Sequence, residues 1–125
     1  MGKKIGGFTL ILALAAAALP AAAKDFTLLS PNKAIELKVD VGPAITYAVA
    51  FQGKPLIAPS AISMTLDGGR ILGKDAKARS DKRRSVNDVL VPVVAQKASK
   101  IPDVFNELSL EFAGNYALIF RAYDD

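Results

Sequence analysis

The chain has 125 residues, contains neither histidine nor cysteine, and carries a formal net charge of +4. The absence of these two residue types excludes disulfides, imidazole-based catalytic triads and zinc sites built on Cys or His. Apolar residues make up 51% and charged residues 22% of the sequence, which is typical of a globular protein rather than a disordered one. The length suffices for one domain. The side chains that remain available for catalysis or binding are carboxylates, amides, tyrosines and basic groups.

The beginning of the chain has the three parts of a secretory signal peptide. A short basic start precedes an uncharged apolar run at residues 8–19, and Pro20 and three alanines follow as a cleavage region. The run is too short for a membrane-spanning helix, which needs about 20 apolar residues. We therefore predict a helical signal peptide over residues 1–23, no stable membrane span, and secretion to a bacterial periplasm or outer surface.

Beyond the signal peptide, apolar residues recur with the two-residue period of β-strands. Residues 34–41 read AIELKVDV, which puts apolar side chains on one face and charged side chains on the other. Residues 44–51 (AITYAVAF) alternate as well, and Gln52-Gly53 after them predicts a tight hairpin turn. These two segments predict a pair of half-buried antiparallel strands.

The remaining predicted strands lie in two regions, one at residues 55–66 and one at residues 104–123. Pro55 and Pro59 bracket a short edge-like piece, because proline cannot donate to a strand ladder, and residues 61–66 follow as a short strand. Residues 104–112 and 116–123 alternate on either side of a Gly-Asn turn and predict the clearest hairpin of the sequence. Short strands separated by turn signals predict an all-β protein, an antiparallel β-sandwich.

The segment at residues 74–84, KDAKARSDKRR, holds six basic and two acidic side chains. A basic cluster can attract phosphates. This one has no interleaved aromatic residues, and the chain carries an export signal. We therefore predict a solvated loop here and no nucleic-acid partner.

The last residues predict an incomplete domain. The sequence stops at Asp125, directly after the strand predicted at residues 116–123, and Asp124-Asp125 reads as the beginning of a turn. A last strand without a neighbour would leave unpaired backbone groups at a sheet edge. We therefore expect the chain to be a fragment of a longer protein.

Five motifs in a defined order resemble the beginning of the family 97 glycoside hydrolases, which are secreted bacterial α-glucosidases and α-galactosidases. They are LSPN at 29–32, ITYAVAFQGKP at 45–55, MTLDGG at 64–69, NELSL at 106–110 and FRAYDD at 120–125. The resemblance covers about residues 26–125, except for residues 70–100, where little is similar. It implies that residues 24–125 are part of an N-terminal β-sandwich, a partial super-sandwich of the galactose-mutarotase-like kind, which packs on a (β/α)8 barrel.

The same resemblance implies where the chemistry of the parent enzyme lies. The family's catalytic carboxylates sit on the barrel, and its calcium is held by glutamates outside the region matched here. The chain is therefore expected to hold no catalytic residue, no metal ligand and no cofactor, with calcium implied for the parent enzyme. Its expected partners are the barrel of the parent chain and carbohydrate. The alternative is a free-standing secreted β-sandwich that binds carbohydrate or protein.

A catalytic pair of carboxylates within this chain is disfavoured by strand geometry. Glu107 and Glu111 lie four residues apart on one strand face, which corresponds to about 13 Å. Glycoside hydrolysis needs two carboxylates about 5 to 9.5 Å apart. We therefore interpret these two glutamates as solvated charges of a strand face.

Five polar residues are candidates for contacts with substrate or with an interface: Asn106, Glu107, Arg121, Asp124 and Asp125. Asn106 and Glu107 offer an amide and a carboxylate, which hydrogen-bond sugar hydroxyls. Arg121 lies in an apolar strand, where a bidentate ion pair with a carboxylate is favoured over a contact with a sugar or the barrel. Asp124 and Asp125 favour a turn over a cation site, because adjacent strand residues point to opposite faces.

Overall fold

The computed structural model describes residues 2, 23–94, 97 and 99–124, so nearly all of the predicted signal peptide lies outside the described residues. The described part contains strands and no helix, hence no helix long and apolar enough to cross a membrane. The strands are β1 (Lys24–Leu29), β2 (Ile35–Val41), β3 (Ile45–Phe51), β4 (Lys54–Ile62), β5 (Met64–Thr65), β6 (Ile71–Leu72), β7 (Ala78–Leu90), β8 (Ile101–Phe112) and β9 (Tyr116–Tyr123).

All strand pairs are antiparallel and join strands that are consecutive in the sequence. Strands β1 to β4 form a four-stranded sheet in that order, β7 to β9 form a three-stranded sheet, and β5 and β6 form a short two-stranded ribbon. The predicted turn between β3 and β4 is present, with Gln52 and Gly53 both at positive φ, 48° and 78°. This geometry is the one that two-residue hairpin turns require.

The two larger sheets bury their apolar faces against each other. Val39 of β2 and Ile45 of β3 belong to the same buried cluster as Leu108 and Leu110 of β8. The alternation of β2, and that of β8 from Leu108 to Phe112, follows from this packing, since every second side chain points into the space between the sheets. The predicted all-β antiparallel sandwich is confirmed.

The structure corrects the predicted strands around the two prolines. Instead of a short piece between Pro55 and Pro59, β4 runs without interruption from Lys54 to Ile62 and contains both prolines. It tolerates them because it is the outermost strand of its sheet and its register with β3 shifts on both sides of the Val49–Ile57 pair. The strand predicted at residues 61–66 is wrong, because β4 ends at Ile62 and β5 starts at Met64.

The predicted loop at residues 74–84 is also wrong from Ala78 onward, because this part belongs to the 13-residue strand β7. Its register with β8 is continuous from Ser80 to Leu90. Between residues 81 and 87, the positions of β7 that face the same way as the core residues of β8 are polar, for example Arg83 opposite Leu108. An edge strand with polar residues on both faces has no apolar period, so its sequence looks like a loop.

Candidate functional site

Three charged side chains from three strands meet on the outer face of the β7–β9 sheet. Arg84 of β7 and Arg121 of β9 are both register partners of Glu107 on β8. Arg84 donates from Nε to Oε1 at 2.8 Å and from Nη2 to Oε2 at 3.0 Å. Arg121 donates from Nε to Oε2 at 2.8 Å. We call these three residues the Glu107 cluster.

The cluster covers an aromatic residue that lies outside the sandwich core. Phe105 is only 2% exposed, although it lies on the same outer face as Glu107. The guanidinium carbon of Arg121 lies 4.8 Å from the centre of its ring, and that of Arg84 lies 5.9 Å away. The ring of Tyr123 packs beside it with 5.1 Å between ring centres. Cation–π contacts and ring packing therefore seal this face without a second layer of structure.

The two arginines fix the charge of the glutamate. Hydrogen bonds from Arg84 and then from Arg121 lower the pKa of Glu107 to about 2. The same hydrogen bonds raise the pKa of each arginine. Glu107 is therefore ionised at neutral pH and cannot serve as a general acid, which needs a raised pKa. Because both of its oxygens accept hydrogen bonds from arginines, it is also poorly placed to act as a nucleophile or metal ligand.

Glu111 makes a separate contact set further along the outer face of β8. It accepts a hydrogen bond from Ser80 Oγ at 2.8 Å and pairs with Lys82 at 3.3 Å. These contacts lower its pKa, the hydrogen bond from Ser80 most. Glu107 and Glu111 thus have different cationic partners. The described residues also contain no group of three or more acidic side chains placed to hold a metal ion.

Asn106 lies at the edge where β1 faces β7 and β8. Its Nδ2 donates to the backbone oxygen of Leu29 at 2.8 Å, and its Oδ1 accepts from Ser85 Oγ at 2.7 Å. Arg83 of β7 donates to the backbone oxygen of Thr27 in the same way. Side chains of one sheet thus hydrogen-bond two backbone carbonyls of β1 and link the two sheets along this side.

Of the two terminal aspartates, Asp124 lies within the described residues and Asp125 does not. Asp124 Oδ1 accepts a hydrogen bond at 2.7 Å from the backbone N–H of Asn32, in the turn between β1 and β2. Asp125 lies outside the described residues. The structure therefore brings Glu107 and Arg121 together and places Asn106 and Asp124 separately, at the β1 edge. A contact of any of them with a sugar or an interface stays a prediction.

Sequence analysis missed Arg84 and Phe105, which complete the cluster around Glu107 and Arg121. Arg84 belongs to the segment that was interpreted as a loop, so no strand partner was assigned to it. The opposite charges of Arg84 and Glu107 are a usable signal once β7 is paired with β8, because residues that face each other across strands interact directly.

A second carboxylate pair, also missed, lies on the four-stranded sheet. Asp25 of β1 and Asp40 of β2 are register partners. Burial, followed by a hydrogen bond and repulsion from Asp25, raises the pKa of Asp40. Burial and the neighbouring carboxylate act in the same direction, because both disfavour the ionised form of Asp40.

The side of the sandwich opposite the β1 edge is open. A cleft of about 560 Å³ separates β2, β3 and β4 from β9. Its walls are mostly apolar and include Leu37, Tyr47, Val49, Ile62 and Phe120. A second cleft, of about 550 Å³, lies at the β1 edge and is lined by more polar side chains, among them Arg83, Ser85 and Asn106. The two sides of the sandwich therefore differ in the polarity of their clefts.

Comparison with known proteins identifies the chain. Residues 28–125 match the family model described as Glycosyl-hydrolase 97 N-terminal. The chain belongs to the glycoside hydrolase family 97. It is 38% identical over 104 residues to a protein named retaining alpha-galactosidase from Bacteroides thetaiotaomicron, and the match covers 83% of this chain but 16% of that protein.

Solved structures of family 97 enzymes share the fold. An enzyme from Pseudoalteromonas sp. strain K8, in complex with panose, superposes with a TM-score of 0.71 at 23% identity over 79% of this chain and 16% of its own. A beta-arabinopyranosidase superposes with a TM-score of 0.68 at 25% identity over 82% of this chain and 17% of its own. The chain thus spans about a sixth of the length of these family 97 relatives.

Replacement of Glu107 by glutamine should destabilise the fold in a pH-dependent way. A carboxyl whose pKa falls on folding stabilises the folded state above its unfolded value of 4.5, and the stabilisation disappears as the pH falls toward 2. We expect Glu107→Gln to be clearly less stable than wild type at pH 7 and nearly equal to it at pH 2, as measured by urea unfolding. The difference between the two proteins cancels contributions from Asp40 and Glu111.

Glu111→Gln is the matched control, because the cationic partner of Glu111, Lys82, is 75% exposed at its side chain. Its loss of stability at pH 7 should be much smaller, since exposed ion pairs contribute little. Equal losses for Glu107→Gln at pH 7 and pH 2 would show that the cluster contributes through shape and not through charge.

Proposed function

We propose that this chain is the first part of the N-terminal sandwich of a secreted family 97 enzyme that hydrolyses α-glucosides or α-galactosides. The family match over residues 28–125 carries the proposal. The relative named as a retaining alpha-galactosidase supports galactosides as the substrates. Complexes of a family 97 enzyme with panose and acarbose support glucosides as the alternative. The predicted signal peptide at residues 1–23 supports secretion.

The role proposed for the chain is that of a scaffold for the catalytic barrel. The open cleft between β4 and β9 supports it, since apolar walls exposed to water are stabilised when another part of the protein covers them. In this proposal, further segments of the parent protein cover the cleft, and loops of the sandwich narrow the substrate pocket on the barrel.

Catalysis and calcium binding belong, in this proposal, to the rest of the parent enzyme. The ion pairs of Glu107 and Glu111 support this assignment, because carboxylates held by arginine, lysine and serine are not available to protonate a glycosidic oxygen or to ligate calcium. For carbohydrate contacts, the outer face offers the half-exposed guanidinium of Arg121 beside the ring of Tyr123.

The test compares two proteins made from the same gene. One is the chain of residues 24–125, and the other is the polypeptide extended by whatever reading frame follows Asp125. We expect the extended protein to hydrolyse an aryl α-glucoside or an aryl α-galactoside, and residues 24–125 alone to hydrolyse neither. Hydrolysis by residues 24–125 alone would contradict the placement of catalysis elsewhere. A gene that ends at Asp125 and gives a cooperatively melting monomer would favour the free-standing module.

A further inference from the structure

An exposed Asp-Gly pair lies at the tip of the β5–β6 ribbon. Asp67 and Gly68 belong to the turn between the two strands, and both are exposed. No other aspartate of the sequence is followed by glycine. The residue after the aspartate matters, because glycine has no Cβ that hinders the approach of another group to its backbone nitrogen. The pair therefore combines a carboxyl group with the most accessible kind of backbone amide.

The turn leaves this carboxylate and this amide unengaged. The N–H of Leu66 donates to the oxygen of Arg70 at 2.8 Å, and the N–H of Gly69 donates to the oxygen of Leu66 at 3.1 Å. Among the described residues, neither the N–H of Gly68 nor the carboxylate of Asp67 has a hydrogen-bond partner. A reaction between the two groups thus breaks no hydrogen bond of the turn.

The backbone beside the pair has room to rotate. Gly68 and Gly69 both adopt a positive φ, 83° and 80°. Among the described residues, nothing beyond the adjacent residues lies within 4 Å of a Cβ added at either glycine. Glycine changes backbone conformation with little steric hindrance. The nitrogen of Gly68 can therefore turn toward Cγ of Asp67 without displacing a neighbouring strand.

We propose that Asp67 is a site of spontaneous isoaspartate formation. The backbone nitrogen of Gly68 attacks Cγ of the protonated carboxyl group of Asp67, a C–N bond forms, and the carboxyl hydroxyl leaves with the amide proton as water. The product is a cyclic succinimide, which a water molecule reopens. Cleavage of the bond between Cγ and nitrogen restores aspartate. Cleavage of the bond between nitrogen and the backbone carbonyl carbon of Asp67 leaves the chain linked through Cγ, which is isoaspartate.

The modification adds one methylene group to the backbone of the turn. The ribbon that the turn joins has only two register pairs, between residues 64–65 and residues 71–72. A ladder this short depends on its turn, because a two-stranded hairpin is only marginally stable by itself. In the isoaspartate form we therefore expect the amides of Leu66 and Gly69, which make the hydrogen bonds of the turn, to exchange faster with solvent.

Peptide mapping of the full-length polypeptide after prolonged incubation at mildly acidic pH tests the proposal. Mass spectrometry detects the succinimide as the loss of one water, and electron-transfer fragmentation distinguishes isoaspartate from aspartate. The control within the chain is Asp75, which also lies outside any strand but precedes Ala76, whose N–H donates to the oxygen of Gly42 at 3.1 Å. We expect isoaspartate to form at least about tenfold faster at Asp67 than at Asp75.

The same measurement in the native state and in urea shows whether the folded turn permits the reaction. A segment that opens at almost no cost in free energy reacts nearly as fast in the folded protein as in the unfolded one. We therefore expect the native rate at Asp67 to lie within about tenfold of the rate in urea. Stronger protection would overturn the proposal, because it would show that the turn is rigid or covered in the native protein.

Two substitutions at the same position complete the test. Asp67→Glu keeps the charge but requires a larger ring, so the modified product should disappear. Asp67→Asn keeps the shape and releases ammonia instead of water, and its amide has no ionised, unreactive form. At neutral pH its product should therefore form at least about tenfold faster than in wild type. Equal product in wild type and in Asp67→Glu, or no increase in Asp67→Asn, would refute the assignment to Asp67.

Discussion

Replacement of Leu108 by alanine should destabilise the sandwich by about 2–5 kcal/mol, the range for large-to-small changes in a packed core. Leu108 is 0% exposed and belongs to the buried cluster between the two sheets. The loss combines the transfer free energy of the deleted atoms with the cavity that the strands on either side cannot fill. Urea unfolding followed by circular dichroism measures it as a lower midpoint with an unchanged slope.

Leu56→Ala is the matched control for this prediction, because Leu56 is 65% exposed on β4. The same deletion at an exposed site should change the free energy of unfolding by no more than about 0.5 kcal/mol. A loss below about 1 kcal/mol for Leu108→Ala would mean that the two sheets do not pack against each other in solution.

How far the fold is predictable from sequence depends on which faces of each strand are buried. Strands β2, β3, β8 and β9 are evident as alternating segments, because one face of each packs into the sandwich and the other carries mostly polar or small side chains. Phe105 of β8 is an exception on the outer face. Strand β7 is not, because the positions that face the core side are polar, as Arg83 is. Its strand conformation depends on backbone pairing with β8, a long-range interaction that the local sequence does not encode.

The Glu107 cluster illustrates the same limit for the site. Glu107 and Arg121 stand out in sequence because charges interrupt apolar strands, and both were predicted as site residues. Arg84 is not visible in this way, since its neighbours are also charged. Only the register of β7 against β8 singles it out as the bidentate partner. Residue type and strand position in the sequence predict two members of the cluster, Glu107 and Arg121. Only the pairing of β7 with β8 in the structure shows the third, Arg84.

The outer face of the β7–β9 sheet covers its own buried aromatic side chain. Phe105 is covered by arginines of its own sheet, so this face is sealed without a partner.

Replacement of Gly73 by alanine should cost about 2–4 kcal/mol, from backbone strain of about 1–3 kcal/mol together with a steric clash. Gly73 is buried at a φ of +90°, and an added Cβ would lie 2.5 Å from the backbone oxygen of Ile62. Its N–H also donates to the hydroxyl of Tyr116 at 3.3 Å, which links the β5–β6 ribbon to β9. The clash involves backbone, so β4 or the ribbon must shift to relieve it.

Gly53→Ala separates the two contributions, because Gly53 has a similar φ of +78° but no atom within 4 Å of its added Cβ. Gly53→Ala should lower the free energy of unfolding only by the cost of the backbone conformation, about 1–2 kcal/mol. Urea unfolding of both variants gives the difference, which reports the contact between Gly73 and the end of β4. Equal losses at the two positions would show that the ribbon is not held against β4 in solution, and the boundary between the four-stranded sheet and β5 would then have to be drawn elsewhere.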